Sequence, residues 1–60
     1  MFRVFFVNHN YFSASKGETL EEAREIARKA GFEAAVYNRY NEVVASYSPI
    51  SGFYVYRKAA

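Results

Sequence analysis

The stretch TLEEAREIARKAG, residues 19–31, decides the fold. Thr19 is a favourable N-cap residue, and Glu22 three positions later completes a capping box. Gly31 lies where a left-handed C-cap residue belongs. Between these caps, apolar residues recur at helical spacing: Leu20, Ala23, Ile26, Ala27 and Ala30. The stretch therefore predicts one amphipathic helix, whose three alanines allow it to lie close to a sheet.

The segments on both sides of this helix have the patterns of β-strands. Residues 2–7 are rich in β-forming apolar residues, and residues 8–10 (NHN) suit a tight turn. Residues 11–15 resume a strand pattern, which Lys16 and Gly17 are expected to break. Residues 32–38 and 42–47 predict a second hairpin, and residues 53–57 predict a short last strand. The prediction is a single α+β domain over residues 1–60. Its order is ββαββ(β), with a mainly antiparallel sheet and the helix packed on one face. The alternative, βαββ, omits the second strand.

The composition limits what else the chain contains. A 60-residue domain buries little surface, so its stability is marginal. The sequence has no cysteine, no aspartate and a single histidine, so we expect no disulfide, no metal site and no cofactor. The absence of cysteine also favours a cytoplasmic location. No segment has the length of a membrane span, so no membrane association is expected.

Aromatic residues are the unusual part of the composition. Twelve of the 60 residues are Phe or Tyr, six of each. Because strand side chains alternate between faces, the Phe-rich sets are predicted to form the core and the Tyr-rich sets to lie on the face that the helix does not cover. Phe5 is the exception, since it falls with the tyrosines. The competing interpretation is that these tyrosines only stabilise the sheet through cross-strand pairs.

Catalytic chemistry has little support in the sequence. His9 lies between two asparagines and is predicted to be a turn residue. Four of the six glutamates cluster at the start of the helix: Glu18, Glu21, Glu22 and Glu25. The glycines are isolated, so neither a carboxylate pair in a cleft nor a phosphate-binding loop is expected. We therefore predict no enzyme activity and no small-molecule substrate. The loop SPISG, residues 48–52, either presents Ile50 to a partner or forms a turn in which Ile50 caps the core; the second interpretation is favoured.

Three segments carry a resemblance to a known group of proteins. They are residues 16–23 (KGETLEEA), 30–37 (AGFEAAVY) and 44–52 (VASYSPISG). Their arrangement resembles that in small orphan proteins carried by phages and prophages, and the resemblance spans about two thirds of the chain. It implies no named activity. It does imply a host-directed role, in which a compact surface blocks or redirects a host protein.

These observations predict a non-catalytic protein-interaction module, acting as a homodimer or as a binder or inhibitor of a larger host protein. The contact surface is a Tyr-rich sheet face or an exposed strand edge. The predicted anchors are Tyr37, Tyr47, Tyr54 and Tyr56, with Arg39 and Arg57 at the rim. The alternative is a small nucleic-acid-binding protein, in which the same aromatic rings stack bases and basic residues hold phosphates.

Overall fold

The computed structural model describes residues 1–56, which form five strands and one helix. In chain order they are β1 (Phe2–Phe6), β2 (Tyr11–Gly17), α1 (Leu20–Ala30), β3 (Ala34–Tyr37), β4 (Val43–Ser48) and β5 (Gly52–Val55). The strands form a single sheet in the order β2-β1-β3-β4-β5, and every neighbouring pair is antiparallel. The predicted α+β order ββαββ(β) is therefore confirmed. The second strand is present, which rejects the βαββ alternative.

The helix begins and ends at the predicted caps. The Thr19 hydroxyl accepts a hydrogen bond from the Glu22 backbone N–H at 3.2 Å, and the Glu22 carboxylate accepts one from the Glu18 N–H at 2.6 Å. Gly31 adopts the left-handed conformation, with φ 74°, and its N–H donates to the Ala27 carbonyl. The caps satisfy backbone groups that the helix itself leaves unpaired, so this short helix has defined ends.

The core is made of small and aliphatic side chains between α1 and one face of the sheet. Its buried members are Val4, Phe6, Ala23, Ala27, Ala34, Val36 and Ala45. The helix contributes only alanines to this set, so α1 lies close to the strands, as the sequence predicts. It packs against β2 and β1 and touches β4. Phe6 is the one aromatic ring among the buried residues, so the phenylalanines contribute less to the core than expected.

The first hairpin is longer than its sequence pattern predicts. Residues 7–10 form its turn, in which the Phe6 carbonyl accepts from the N–H groups of His9 and Asn10. Asn10 has φ 58°, a conformation that asparagine tolerates well. His9 is a turn residue, as predicted, and its ring lies 4.1 Å from that of Phe32. The strand break expected at Lys16 and Gly17 is wrong, because β2 continues through Gly17.

The turn between β3 and β4 is organised by one side chain, that of Asn38. Its Oδ1 accepts from the backbone N–H groups of Tyr40 at 2.8 Å and Glu42 at 3.0 Å. Its Nδ2 donates to the Glu42 carboxylate at 2.9 Å. Asn41 completes the turn at φ 65°. This local network of hydrogen bonds holds the ends of β3 and β4 together.

We expect Asn38→Ala to lower the free energy of unfolding by about 1–2 kcal/mol, because each lost hydrogen bond contributes roughly 0.5–1.5 kcal/mol. Urea unfolding followed by circular dichroism measures the loss. Asn38→Asp made together with Glu42→Gln is the matched control, since it keeps both acceptor bonds of position 38 and does not place two carboxylates within hydrogen-bond distance. An alanine variant that is as stable as this double variant would show that the acceptor bonds do not hold the turn.

Candidate functional site

The sheet face opposite α1, here called the open face, carries two rows of side chains that run across the strands. Strand register defines each row, because directly opposed residues point to the same face. The first row is Phe12, Phe5, Ala35, Ser46 and Tyr54. The second row is Lys16, Arg3, Tyr37 and Val43. The open face therefore combines aromatic rings with two basic side chains.

Three rings on β1, β2 and β3 form an aromatic cluster: Phe5, Phe12 and Tyr37. Their centroids are 4.9 Å apart for Phe5 and Phe12, 5.6 Å for Phe12 and Tyr37, and 6.3 Å for Phe5 and Tyr37. Every pair is edge-to-face, a geometry that contributes about 0.5–1.5 kcal/mol per pair beyond burial. The rings hold one another in place, so the cluster is a rigid ridge on the open face.

A second ridge lies at the other side of the same face. Tyr54 and Tyr56 extend from β5, with ring centroids 5.3 Å apart. Between the two ridges the first row contains only Ala35 and Ser46, whose small side chains form the floor of a trough. The trough spans β3 and β4, about 5 Å per strand.

The charged residues within the strands have one sign. None of the five strands contains an acidic residue, whereas Arg3 and Lys16 oppose each other on β1 and β2. The Arg3 guanidinium lies 4.6 Å from the centroid of Phe12 and donates a hydrogen bond to the Asn41 side chain. These contacts position a cation beside the aromatic cluster. A partner with carboxylates near its apolar centre is the electrostatic complement.

The structure brings three of the predicted anchors to the open face, namely Tyr37, Tyr54 and Tyr56. The placement of Tyr47 on this face is wrong. Tyr47 opposes Ala34 and Phe53 and packs half-buried against the core. The reason is strand alternation: Tyr47 is two residues from Ala45, which is fully buried on the helix side.

The predicted rim residues are not part of the aromatic rows. Arg39 lies in the turn that follows β3, with its guanidinium 5.1 Å from the Tyr40 ring centroid. It also donates a hydrogen bond to the Tyr40 hydroxyl at 2.9 Å. Arg57 lies outside the described residues. Arg3, which is in the strand itself, supplies the cation nearest to the aromatic cluster.

Two exposed apolar residues differ from their sequence assignment. Phe12 lies on the open face instead of in the core, because the tight turn opposes Phe6 to Tyr11 and therefore Phe5 to Phe12. Pairing residues outward from the turn, first Phe6 with Tyr11 and then Phe5 with Phe12, identifies this pair from the sequence. Ile50 is 96% exposed at the tip of the β4–β5 hairpin, so its assignment as a core cap is wrong. The turn itself is as predicted, with the Ser48 hydroxyl accepting from two loop N–H groups.

The helix side carries a groove of about 510 Å³ between β2 and α1, lined in part by Ile26, Lys29 and Glu25. The side-chain hydrogen bond from Arg28 holds the pKa of the Glu25 carboxyl below its usual value. The same pair raises the pKa of Arg28. A carboxylate of lowered pKa is a poor proton acceptor near neutral pH, since general bases work best near the ambient pH. Glu25 is therefore poorly suited to act as a general base in this groove.

Comparison with known proteins assigns no family. No protein-family model, no curated protein and no solved structure matches the chain. The resemblance to small phage proteins therefore stays a prediction. Within residues 1–56, no helix is both long and apolar enough to cross a bilayer. In the same part of the chain, no three potential ligands are grouped as a metal ion requires.

Proposed function

We propose that the chain is a non-catalytic protein-interaction module whose open face docks on a larger protein. One observation carries the proposal: two aromatic ridges flank a trough of small residues on the face that α1 leaves uncovered. Tyrosine and arginine are the residue types that dominate binding hot spots, and both occur here. Large amphipathic groups concentrated on one surface mark partner sites more often than isolated exposed rings do.

The surface chemistry defines the kind of partner. The trough floor of Ala35 and Ser46 accepts a narrow apolar ridge, such as one side of a helix or a loop tip. Arg3 and Lys16 favour carboxylates at the edge of that contact. The resemblance to phage proteins supports a host protein as this partner.

Site-specific crosslinking tests the docking surface in living cells. A photoreactive amino acid at position 37 or position 12, both on the open face and away from β5, is expected to give the same adduct with a single larger protein. The control position is Glu21, an exposed residue of α1 on the other side of the molecule. The same adduct at position 21, or no shared adduct from the two open-face positions, would contradict the proposal.

Binding of the purified adduct partner then gives a magnitude. We expect Tyr37→Ser to raise the dissociation constant at least roughly tenfold, because a hot-spot tyrosine contributes about 2 kcal/mol or more to the binding free energy. Tyr40→Ser is the matched control, since Tyr40 is the more exposed ring but lies in the turn and not on the open face. Circular dichroism establishes that both variants are folded. Equal losses for the two variants would reject the open face as the binding surface.

The nucleic-acid alternative gives a different result in the same measurements. It is favoured by Arg3 and Lys16 lying opposite each other beside the exposed ring of Phe12. Two phosphate contacts to a single strand predict a roughly sevenfold loss of affinity between 50 and 200 mM salt. Binding of a single-stranded oligonucleotide with that salt dependence, and no protein adduct, would replace the proposed function with this one.

A further inference from the structure

The two edges of the sheet differ in how they are protected against pairing with another strand. At one edge, β2 advances four residues while β1 advances two between the pairs Lys16–Arg3 and Phe12–Phe5, so β2 bulges. A bulge and an edge lysine both block strand addition. At the other edge, β5 is regular: its four residues, GFYV, include no charge and no proline. Within residues 1–56, β5 has a neighbour on one side only.

The hydrogen-bonding direction of each β5 residue follows from its pairing with β4. The Tyr56 N–H donates to the Val44 carbonyl, so Tyr56 and, by alternation, Tyr54 point their backbone groups toward β4. Phe53 and Val55 consequently point their N–H and C=O groups outward. These two residues lie on either side of Tyr54, so an identical antiparallel strand can pair its Val55 with Phe53 and its Phe53 with Val55.

The side chains of β5 are exposed on both faces of the sheet. Tyr54 is 61% exposed and Tyr56 45% exposed on the open face, while Val55 is 46% exposed on the helix side. The helix packs against β2 and β1, which are at the other end of the sheet. An added strand next to β5 therefore gains apolar contacts on both faces as well as backbone hydrogen bonds.

We propose that a second copy of this chain occupies this edge, with β5 pairing antiparallel to the partner's β5 about a two-fold axis at Tyr54. In this register, Phe53 of each copy forms a hydrogen-bonded pair with Val55 of the other, which uses all the outward backbone groups. Tyr54 opposes its own equivalent, and Tyr56 covers the equivalent of Gly52, which has no side chain of its own to bury. The product is a continuous ten-stranded sheet.

Several observations favour a second copy over another extended strand. The described part of β5 is uncharged, so an identical strand introduces no like charges directly opposite each other. The outward N–H and C=O groups of Phe53 and Val55 meet those of the second copy without a shift in register. The inference deepens the proposed function. It rests on that function in one respect, because Tyr54 and Tyr56 belong to the open face as well as to the β5 edge. Dimerisation places two open faces side by side, so a partner with two equivalent sites is bound more tightly.

A charge-swap experiment tests the two-fold axis at Tyr54. The wild-type chain is expected to have twice the monomer mass at micromolar concentrations by analytical ultracentrifugation. Tyr54→Lys and Tyr54→Glu should each weaken self-association by on the order of tenfold or more, because each places like charges directly opposite. An equimolar mixture of the two variants should restore the dimer, since lysine then opposes glutamate.

Val55→Pro provides an independent test of the edge. Its missing N–H points away from β4, so the monomer should stay folded while the dimer is lost. A monomeric wild type, single-charge variants that remain dimeric, or a mixture that remains monomeric would each overturn the inference. Failure here leaves crosslinking through position 37 unaffected, whereas failure of the proposed function leaves the β5 dimer intact, so the two outcomes are distinguishable.

Discussion

Replacing Phe6 with alanine is expected to remove a large part of the free energy of unfolding, whereas the same replacement at Phe5 is expected to remove much less. A domain of this size has a free energy of unfolding of about 3–9 kcal/mol. Truncating a buried phenylalanine costs about 3–5 kcal/mol, which is half or more of a stability in the middle of that range. Phe6 is 4% exposed between α1 and the sheet, so its loss leaves a cavity in the core.

Phe5 is the natural control, because it is the same residue type one position earlier on the same strand. It is half-buried on the open face, where its ring contacts those of Phe12 and Tyr37. We expect Phe5→Ala to cost about 1–2 kcal/mol, in the range of ordinary destabilising substitutions. Urea unfolding of both variants measures the difference. A larger loss for Phe5→Ala than for Phe6→Ala would show that the helix covers the other face of the sheet.

The helix and the element order were predictable from sequence because they depend on local chemistry. Thr19 and Gly31 bracket one apolar stripe, and no other stretch of the chain has helical spacing. The turns were equally accessible, since asparagine at Asn10 and Asn41 adopts the positive φ that tight turns require. These features are fixed by residues close in sequence, so no knowledge of the tertiary structure is needed to infer them.

The faces of the strands were harder to predict because they depend on register between distant segments. Grouping tyrosines by residue type placed Tyr47 on the open face, although alternation from the buried Ala45 places it on the helix side. Phe12 shows the opposite case, in which a phenylalanine belongs to the open face. For aromatic rings, the choice between Phe and Tyr is a weak guide to which face of the sheet the ring occupies, since a tyrosine ring buries nearly as much apolar surface as a phenylalanine ring. Register, and not residue type, decides where each ring lies.

This distinction changes the candidate site. A surface defined by tyrosines alone includes the half-buried ring of Tyr47 and omits the two phenylalanines of the cluster. The surface defined by register consists of a rigid cluster on β1, β2 and β3, a trough over β3 and β4, and a pair of tyrosines on β5. Arg3 joins the cluster through Phe12. The bulge in β2, which no local pattern signals, is also what leaves β5 as the pairing-competent edge.

Gly17→Ala is expected to lower the free energy of unfolding by about 2–3 kcal/mol, at the upper end of the cost of overpacking. A Cβ at position 17 lies 2.8 Å from the Ala23 backbone nitrogen and 3.1 Å from the Thr19 carbonyl oxygen. Both atoms belong to the backbone of the capped first turn of α1, so no side-chain rotation relieves the contact. Either β2 or the start of the helix must move.

The same two atoms form a hydrogen bond, from the Ala23 N–H to the Thr19 carbonyl at 3.1 Å. Amide hydrogen exchange at Ala23 should therefore accelerate in Gly17→Ala by more than global destabilisation accounts for. Gly52→Ala is the matched control: its φ of 87° strains an alanine, but nothing lies within 4 Å of the added Cβ. It should lose about 1 kcal/mol without a local effect at Ala23. Unchanged exchange at Ala23 in the Gly17 variant would reject the close contact. If the contact holds, the glycine that resembles a strand breaker in the sequence instead lets β2 run on beneath the helix, which keeps Lys16 opposite Arg3 at the edge of the open face.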